Sequence, residues 1–399
     1  MARSVWLDLR SRKENTVLQE HHEAFKLIRQ ELTSPDSQTP QMISLIGGKV
    51  KTSLMQDIFA IKCIPGHNKI HLRLAPPHDK TRSPILLADC ELHRASHIGK
   101  DLRIRVPGYE DQHILQWHNV PEELDASTLA KILYTQVVIP FSTIVCLFAD
   151  DFGGTKGVAQ ILAYWLLTEW QKGGKGKRFM TLPPGTYPRV IILQRWQDAG
   201  ATYDEKLATV AFLREVHQEV NTKRSGQIAL RPLDAAGIED LVKENFGDIC
   251  LLALPNSAAE VISLHPYLEK LHRRILHESE NVQILRRAAK ISFTATHLEA
   301  FFSLACKHFA NTIEESFCFV KASRIFNPPS VNLATHVSAL LKLNETELHI
   351  KFAAPVIASA ICLDSLTPQM HQFDAQLVFD RHYADALQKF NTTIYIGHR

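Results

Sequence analysis

Four short stretches, ISLI at 43–46, ILLA at 85–88, TIVCLF at 143–148 and VIIL at 190–193, are almost continuously apolar, and they limit the fold more than any other feature. A strand with one wet face alternates apolar and polar residues. A continuous run belongs to a strand buried on both faces, the usual state of parallel strands covered by helices. Lys69–Leu74, which alternates, and Asp248–Leu254 add two more candidate strands, while Val158–Trp170 and Asp204–Val220 have helical spacing. This succession predicts an α/β fold, a mostly parallel sheet flanked by helices.

On either side of that region the pattern is helical. The spacing of Val17, Leu18, Phe25, Ile28 and Leu32 predicts a helix over 16–32, and TSPDSQTPQ with its two prolines breaks it. After about residue 258 the strand signal fades, and 267–277, 282–309, 334–343, 353–363 and 372–390 all predict helices. The expected organisation is an N-terminal helix and linker over 1–40, an α/β domain over 41–280 and a helical domain over 281–399.

Composition excludes several classes. A formal net charge of +3 lacks the basic footprint of a nucleic-acid binder, so no nucleic acid is expected as a partner. No run approaches the 18 or more apolar residues of a membrane span. Seven cysteines without a C-x-x-C pair fit reduced thiols and a cytoplasmic location. The 20 histidines form no H-E-x-x-H, and surface histidines are the expectation. No G-x-S-x-G is present to hold a hydrolase serine.

Two stretches carry possible chemistry. SLIGGKVKTSLM, 44–55, joins an apolar strand to a helix start through two glycines, the setting of a phosphate loop. In G-x-x-x-x-G-K-[ST], backbone N–H groups wrap the phosphates, the lysine reaches the terminal ones, and the hydroxyl meets magnesium. Lys51, Thr52 and Ser53 supply a lysine and hydroxyls. Gly47, however, lies four residues before Lys51 instead of six, and Val50 replaces the second glycine, so an ordinary strand-to-helix turn also fits. In SPILLADCELH, 83–93, Asp89 ends an apolar strand, where a carboxylate can hold magnesium.

Together these residues resemble the P-loop GTPase fold. Pro84-Ile85-Leu86-Leu87-Ala88-Asp89-Cys90-Glu91 is similar to a P-I-L-x-A-D-C-E-G-L strand in the GTPase-like region of a group of large fungal proteins, some of which also carry a patatin-like hydrolase domain. The resemblance implies that Gly47, Gly48, Lys51, Thr52 and Ser53 bind a nucleotide, GTP in a GTPase, and that Thr52 and Asp89 hold Mg2+. Two departures follow: Leu92 and His93 stand where a GTPase has its phosphate-sensing glycine, and Gln194-Arg195-Trp196-Gln197-Asp198 replaces the guanine-reading N/T-K-x-D. The implied function is therefore a catalytically impaired GTPase-like module acting through protein partners, with weak nucleotide binding at most and no catalytic residue. An active NTPase with divergent motifs and a scaffold with an empty loop are the alternatives.

ADDFGGTKG, 149–157, also lies between a strand and a helix and can form an anion nest, although a plain loop is expected, with Asp150 and Asp151 as helix-start acids or exposed. QKGGKGKR, 171–178, is expected to be a solvated loop.

Overall fold

The computed structural model describes residues 4–12, 15–61, 69–76, 83–91, 110–117, 126–168, 182–196, 203–225, 234–255, 265–313, 315–343, 347–366 and 368–384. The stretches around Leu92 and His93, the loop 171–178, and Gln197 with Asp198 lie outside these residues. Residues 1–285 with 294–317 form one compact unit, and 286–293 with 318–399 a second.

The first unit holds strands β1 (Val5–Arg12), β2 (Asn15–His21), β3 (Gln41–Gly47), β4 (Lys69–Leu74), β5 (Ile85–Glu91), β6 (Glu110–Ile114), β7 (Ser142–Phe148), β8 (Arg189–Trp196) and β9 (Asp248–Pro255). Its helices are α1 (Glu23–Glu31), α2 (Lys49–Phe59), α3 (Ala126–Leu133), α4 (Thr155–Thr168), α5 (Glu205–Ser225) and α6 (Ala235–Asn245); α7 (His265–Ala288) and α8 (Ala295–Asn311) follow. Among the described residues these nine strands form one sheet in the order β6-β2-β1-β4-β5-β3-β7-β8-β9.

The sheet is mixed, which corrects the expectation of a mostly parallel one. Strands β5, β3, β7, β8 and β9 are parallel, whereas β4 pairs antiparallel with β5 and the three strands beyond it are antiparallel throughout. The parallel half contains the four apolar runs, and every residue of β3 and β7 is buried.

The helix predicted over 16–32 is also corrected. Its first residues form β2, hydrogen-bonded to β1 on one side and to β6 on the other, and the helix begins only at Glu23. Pairing on both edges overrides the local spacing, since strand formation depends on cross-strand neighbours more than on intrinsic preference. The helix predicted over 282–309 is interrupted: α7 ends at Ala288, Lys290 takes φ +54°, and Thr294 caps α8 by accepting the His297 N–H at 3.3 Å.

One core forms where Leu54, Met55, Ile58 and Phe59 of α2 and Leu268, Leu271 and Ile275 of α7 pack on the inward residues of β3, β5, β7 and β8. From β3 the chain runs through α2 to β4 and β5 on one side, and later through α3 to β7 on the other. The carboxyl end of β3 is thus a topological switch point, where open α/β sheets form a crevice.

The second unit contains α9 (Phe319–Ser323), α10 (Leu333–Lys342), α11 (Glu347–Ser365) and α12 (Ala375–Val378), the last continuing as a π-helical turn over Phe379–Tyr383. Buried Arg324 donates to Asp364 Oδ2 at 2.8 Å and to the Asn327 carbonyl at 3.0 Å. Among the described residues no helix is long and apolar enough to cross a membrane.

Candidate functional site

Strand β3 delivers Gly47 and Gly48 to the switch point, and α2 begins one residue later. The requirement for glycine at 47 is one of space. A Cβ there would stand 2.7 Å from Asp151 Oδ2, 2.9 Å from Lys51 Cβ and 3.0 Å from Phe148 Cβ.

Helix α2 has no capping side chain of its own, since its N-cap residue is Gly48. Its first N–H groups would be orphaned without an outside acceptor. Asp151 is that acceptor. Strand β7 ends at Phe148, and a single 3-10 turn over Ala149–Phe152 stops at Gly153, whose φ is +80°. The turn brings the Asp151 carboxylate over the start of α2: Oδ2 accepts the N–H groups of Gly48 at 2.7 Å and Lys51 at 2.9 Å, and Oδ1 accepts that of Val50 at 2.9 Å. A negative charge at a helix N-terminus, held by charge-assisted hydrogen bonds, is favoured by both the dipole and the free donors. Asp150 turns elsewhere and accepts the Arg195 N–H at 3.3 Å.

Lys51 faces into the protein. Its side chain is 1% exposed, and its ammonium donates to the Asp89 carboxylate and, at 3.3 Å, to the Cys90 carbonyl. Asp89 stands opposite Leu45 of β3 in the register, on the sheet face that α2 covers. On its other side it stands opposite His71 of β4, whose imidazole is pushed down to about 4 by burial, against the opposing pull of the Asp89 charge. Burial likewise raises the Cys90 thiol far above its ordinary range. The Thr52 hydroxyl donates to the Gly48 carbonyl of its own helix at 2.9 Å, and Ser53 is exposed.

Of the residues read from the sequence, the structure gathers Gly47, Gly48, Lys51, Thr52 and Asp89 around one helix start and leaves Ser53 on the outer surface. Asp151 is the member that sequence reasoning placed elsewhere. The signal was nonetheless present: ADDFGG follows the apolar run that lies beside β3, so its turn emerges at the same end of the sheet as Gly47 and Gly48.

No family model matches this chain, and no curated protein matches it. Among solved structures, a chain of the mammalian SRP receptor is similar with a TM-score of 0.31 and 12% identity, over 58% of this chain and 100% of that one.

Proposed function

We propose that this chain is a catalytically impaired GTPase-like module of P-loop descent that works through protein partners, with a phosphate site closed by its own carboxylate. The observation that carries the reading is Asp151, which takes the three backbone N–H groups a phosphate would use. An incoming phosphate has to displace this anion from the helix start and otherwise meets its charge.

Further support comes from the strand, glycine turn and helix at the switch point, with Asp89 on the neighbouring parallel strand. That strand also carries the PILLADCE resemblance. The catalytic parts are committed elsewhere. Phosphoryl transfer depends on lysine, hydroxyl and magnesium acting together on the phosphates, whereas Lys51 is spent on Asp89 and the Thr52 hydroxyl on Gly48. As they stand, with the Asp89 carboxylate held by Lys51 and the Thr52 hydroxyl by its own helix, Thr52 and Asp89 do not fit Mg2+. Protein partners suit the second unit, where Phe326, Val331, Leu343, Phe352 and Leu363 are each more than 60% exposed. Buried unpaired thiols at Cys90, Cys146 and Cys306 suit a reducing, cytoplasmic setting.

The test is a thermal-shift titration of the full chain with GTP, GDP and ATP, each with and without Mg2+. The expected result is no saturable shift at millimolar nucleotide. A saturable, magnesium-dependent shift in the wild-type chain would overturn the closed-site reading.

A further inference from the structure

At the opposite edge of the sheet from β9, two short sequence patterns meet: Glu20-x-His22 at the end of β2 and Asp111-x-His113 in β6. The antiparallel register sets Glu20 directly opposite Asp111 and His113 opposite Leu18, so the pleat turns Glu20, Asp111 and His113 to one face. His22, two residues beyond Glu20, joins them. A ligand atom from each of Glu20, His22 and Asp111 lies within 4.8 Å of the others, and His22 Nε2 is 3.2 Å from Asp111 Oδ2.

We propose that Glu20, His22 and Asp111 form a binding site for a divalent transition cation of the Zn2+ class. The distances suit it. Donors bound at 2.0–2.2 Å around a tetrahedral ion are about 3.3–3.6 Å apart, so the trio needs only a modest contraction. One imidazole and two carboxylates are ordinary zinc ligands, whereas Mg2+ prefers an all-oxygen octahedron and keeps its waters.

Burial strengthens the case. Glu20 is 2% exposed, and a carboxylate so far from water needs compensation. Its described partners are the Ser303 hydroxyl, 2.9 Å from both oxygens, and His113 Nε2 at 3.1 Å. Neither is a fixed cation. Both hold the Glu20 carboxylate in place, as hydrogen-bond partners of a metal-binding carboxylate do. His22 also borders a cavity of about 540 Å3 shared with Glu23, Lys26, Arg29 and Glu299, which opens the imidazole to solvent. Of the two cations there, Arg29 is paired with Glu299 at 3.2 Å. An ion bound here ties the outermost strand β6 to the β2–α1 junction and, through Ser303, to α8.

The experiment is isothermal titration of the full chain with ZnCl2, with MgCl2 as the comparison. Saturable uptake of one Zn2+ is expected to weaken at least tenfold in both His22→Ala and Asp111→Asn, with no matching response to Mg2+. These two residues are partly exposed, so the variants keep the fold; unchanged melting without metal confirms it. Ser303→Ala should weaken binding about 10- to 100-fold while leaving the three ligands in place. No saturable uptake overturns the proposal, as does uptake that both ligand variants leave unchanged, because that zinc sits on thiols or histidines elsewhere.

Discussion

The Asp151 carboxylate reaches across 103 residues of sequence to accept the Gly48 N–H at 2.7 Å. It thereby acts as the N-cap that α2 lacks, supplied by a separate turn. Replacing a capping acid by alanine costs about 0.5–2 kcal/mol, and each hydrogen bond to a charged group contributes about 1.5–3. Asp151→Ala is therefore expected to destabilise the first unit by about 2 kcal/mol or more, and Asp151→Asn by roughly half as much, read from urea denaturation. The alanine variant also frees three amide donors. Inorganic phosphate at tens of millimolar should raise its melting temperature and leave the wild type unmoved.

Gly47→Ala tests the same contact from the other side. The new methyl meets the movable Asp151 carboxylate, but also Lys51 Cβ and Phe148 Cβ, which are fixed to α2 and β7. Overpacking of this kind costs about 1–3 kcal/mol. The variant should lose that much stability, and a double-mutant cycle with Asp151→Ala should show the two changes to be coupled rather than additive.

The Lys51–Asp89 pair predicts an asymmetric result. With side chains 1% and 5% exposed, removing one partner leaves a buried charge uncompensated, at a cost of about 3–5 kcal/mol. Lys51→Met should be destabilised by that amount, and Lys51→Met with Asp89→Leu should recover most of it, since an apolar pair removes the desolvation cost along with the attraction. Chemical denaturation of the two singles and the double measures this directly. Lys51→Ala is for the same reason a poor probe of nucleotide binding: it perturbs the core before any ligand is added.

The apolar runs fixed β3, β5, β7 and β8 to within a few residues because strands buried on both faces carry few polar residues to blur them. The antiparallel half was harder to see. β2 has helical spacing and becomes a strand only because β1 and β6 flank it, a tertiary effect with no local trace. The candidate site divides in the same way. Gly47, Lys51 and Asp89 were legible as a motif, but spacing cannot say where a side chain points. That Lys51 turns inward and Asp151 fills the loop depends on strands β5 and β7 lying on either side of β3. Glu20-x-His22 and Asp111-x-His113 were invisible for a related reason: each is an ordinary dipeptide spacing until the register sets one against the other.

His71 gives a pH dependence. Burial lowers its folded-state value from 6.5 to about 4, so between those limits the unfolded chain takes up a proton that the folded chain does not. Stability from this group is complete above pH 6.5 and falls as the pH drops toward 4, by up to about 3 kcal/mol. Urea midpoints at pH 4.5, 5.5 and 7.5 should show that loss in the wild-type chain, and a shallower slope in His71→Gln.

The reach from Asp151 to Gly48 also sets an order of events during synthesis. When α2 leaves the ribosome its first amides have only water to bond, and their partner is still about a hundred residues, several seconds of translation, behind. Strand β3 waits as well, since its neighbour β7 arrives just ahead of Asp151. The central strand and its helix are therefore finished late, in a single step that closes a long loop. A nascent chain halted before that turn has a frayed α2 and an open strand edge, the form most in need of a chaperone.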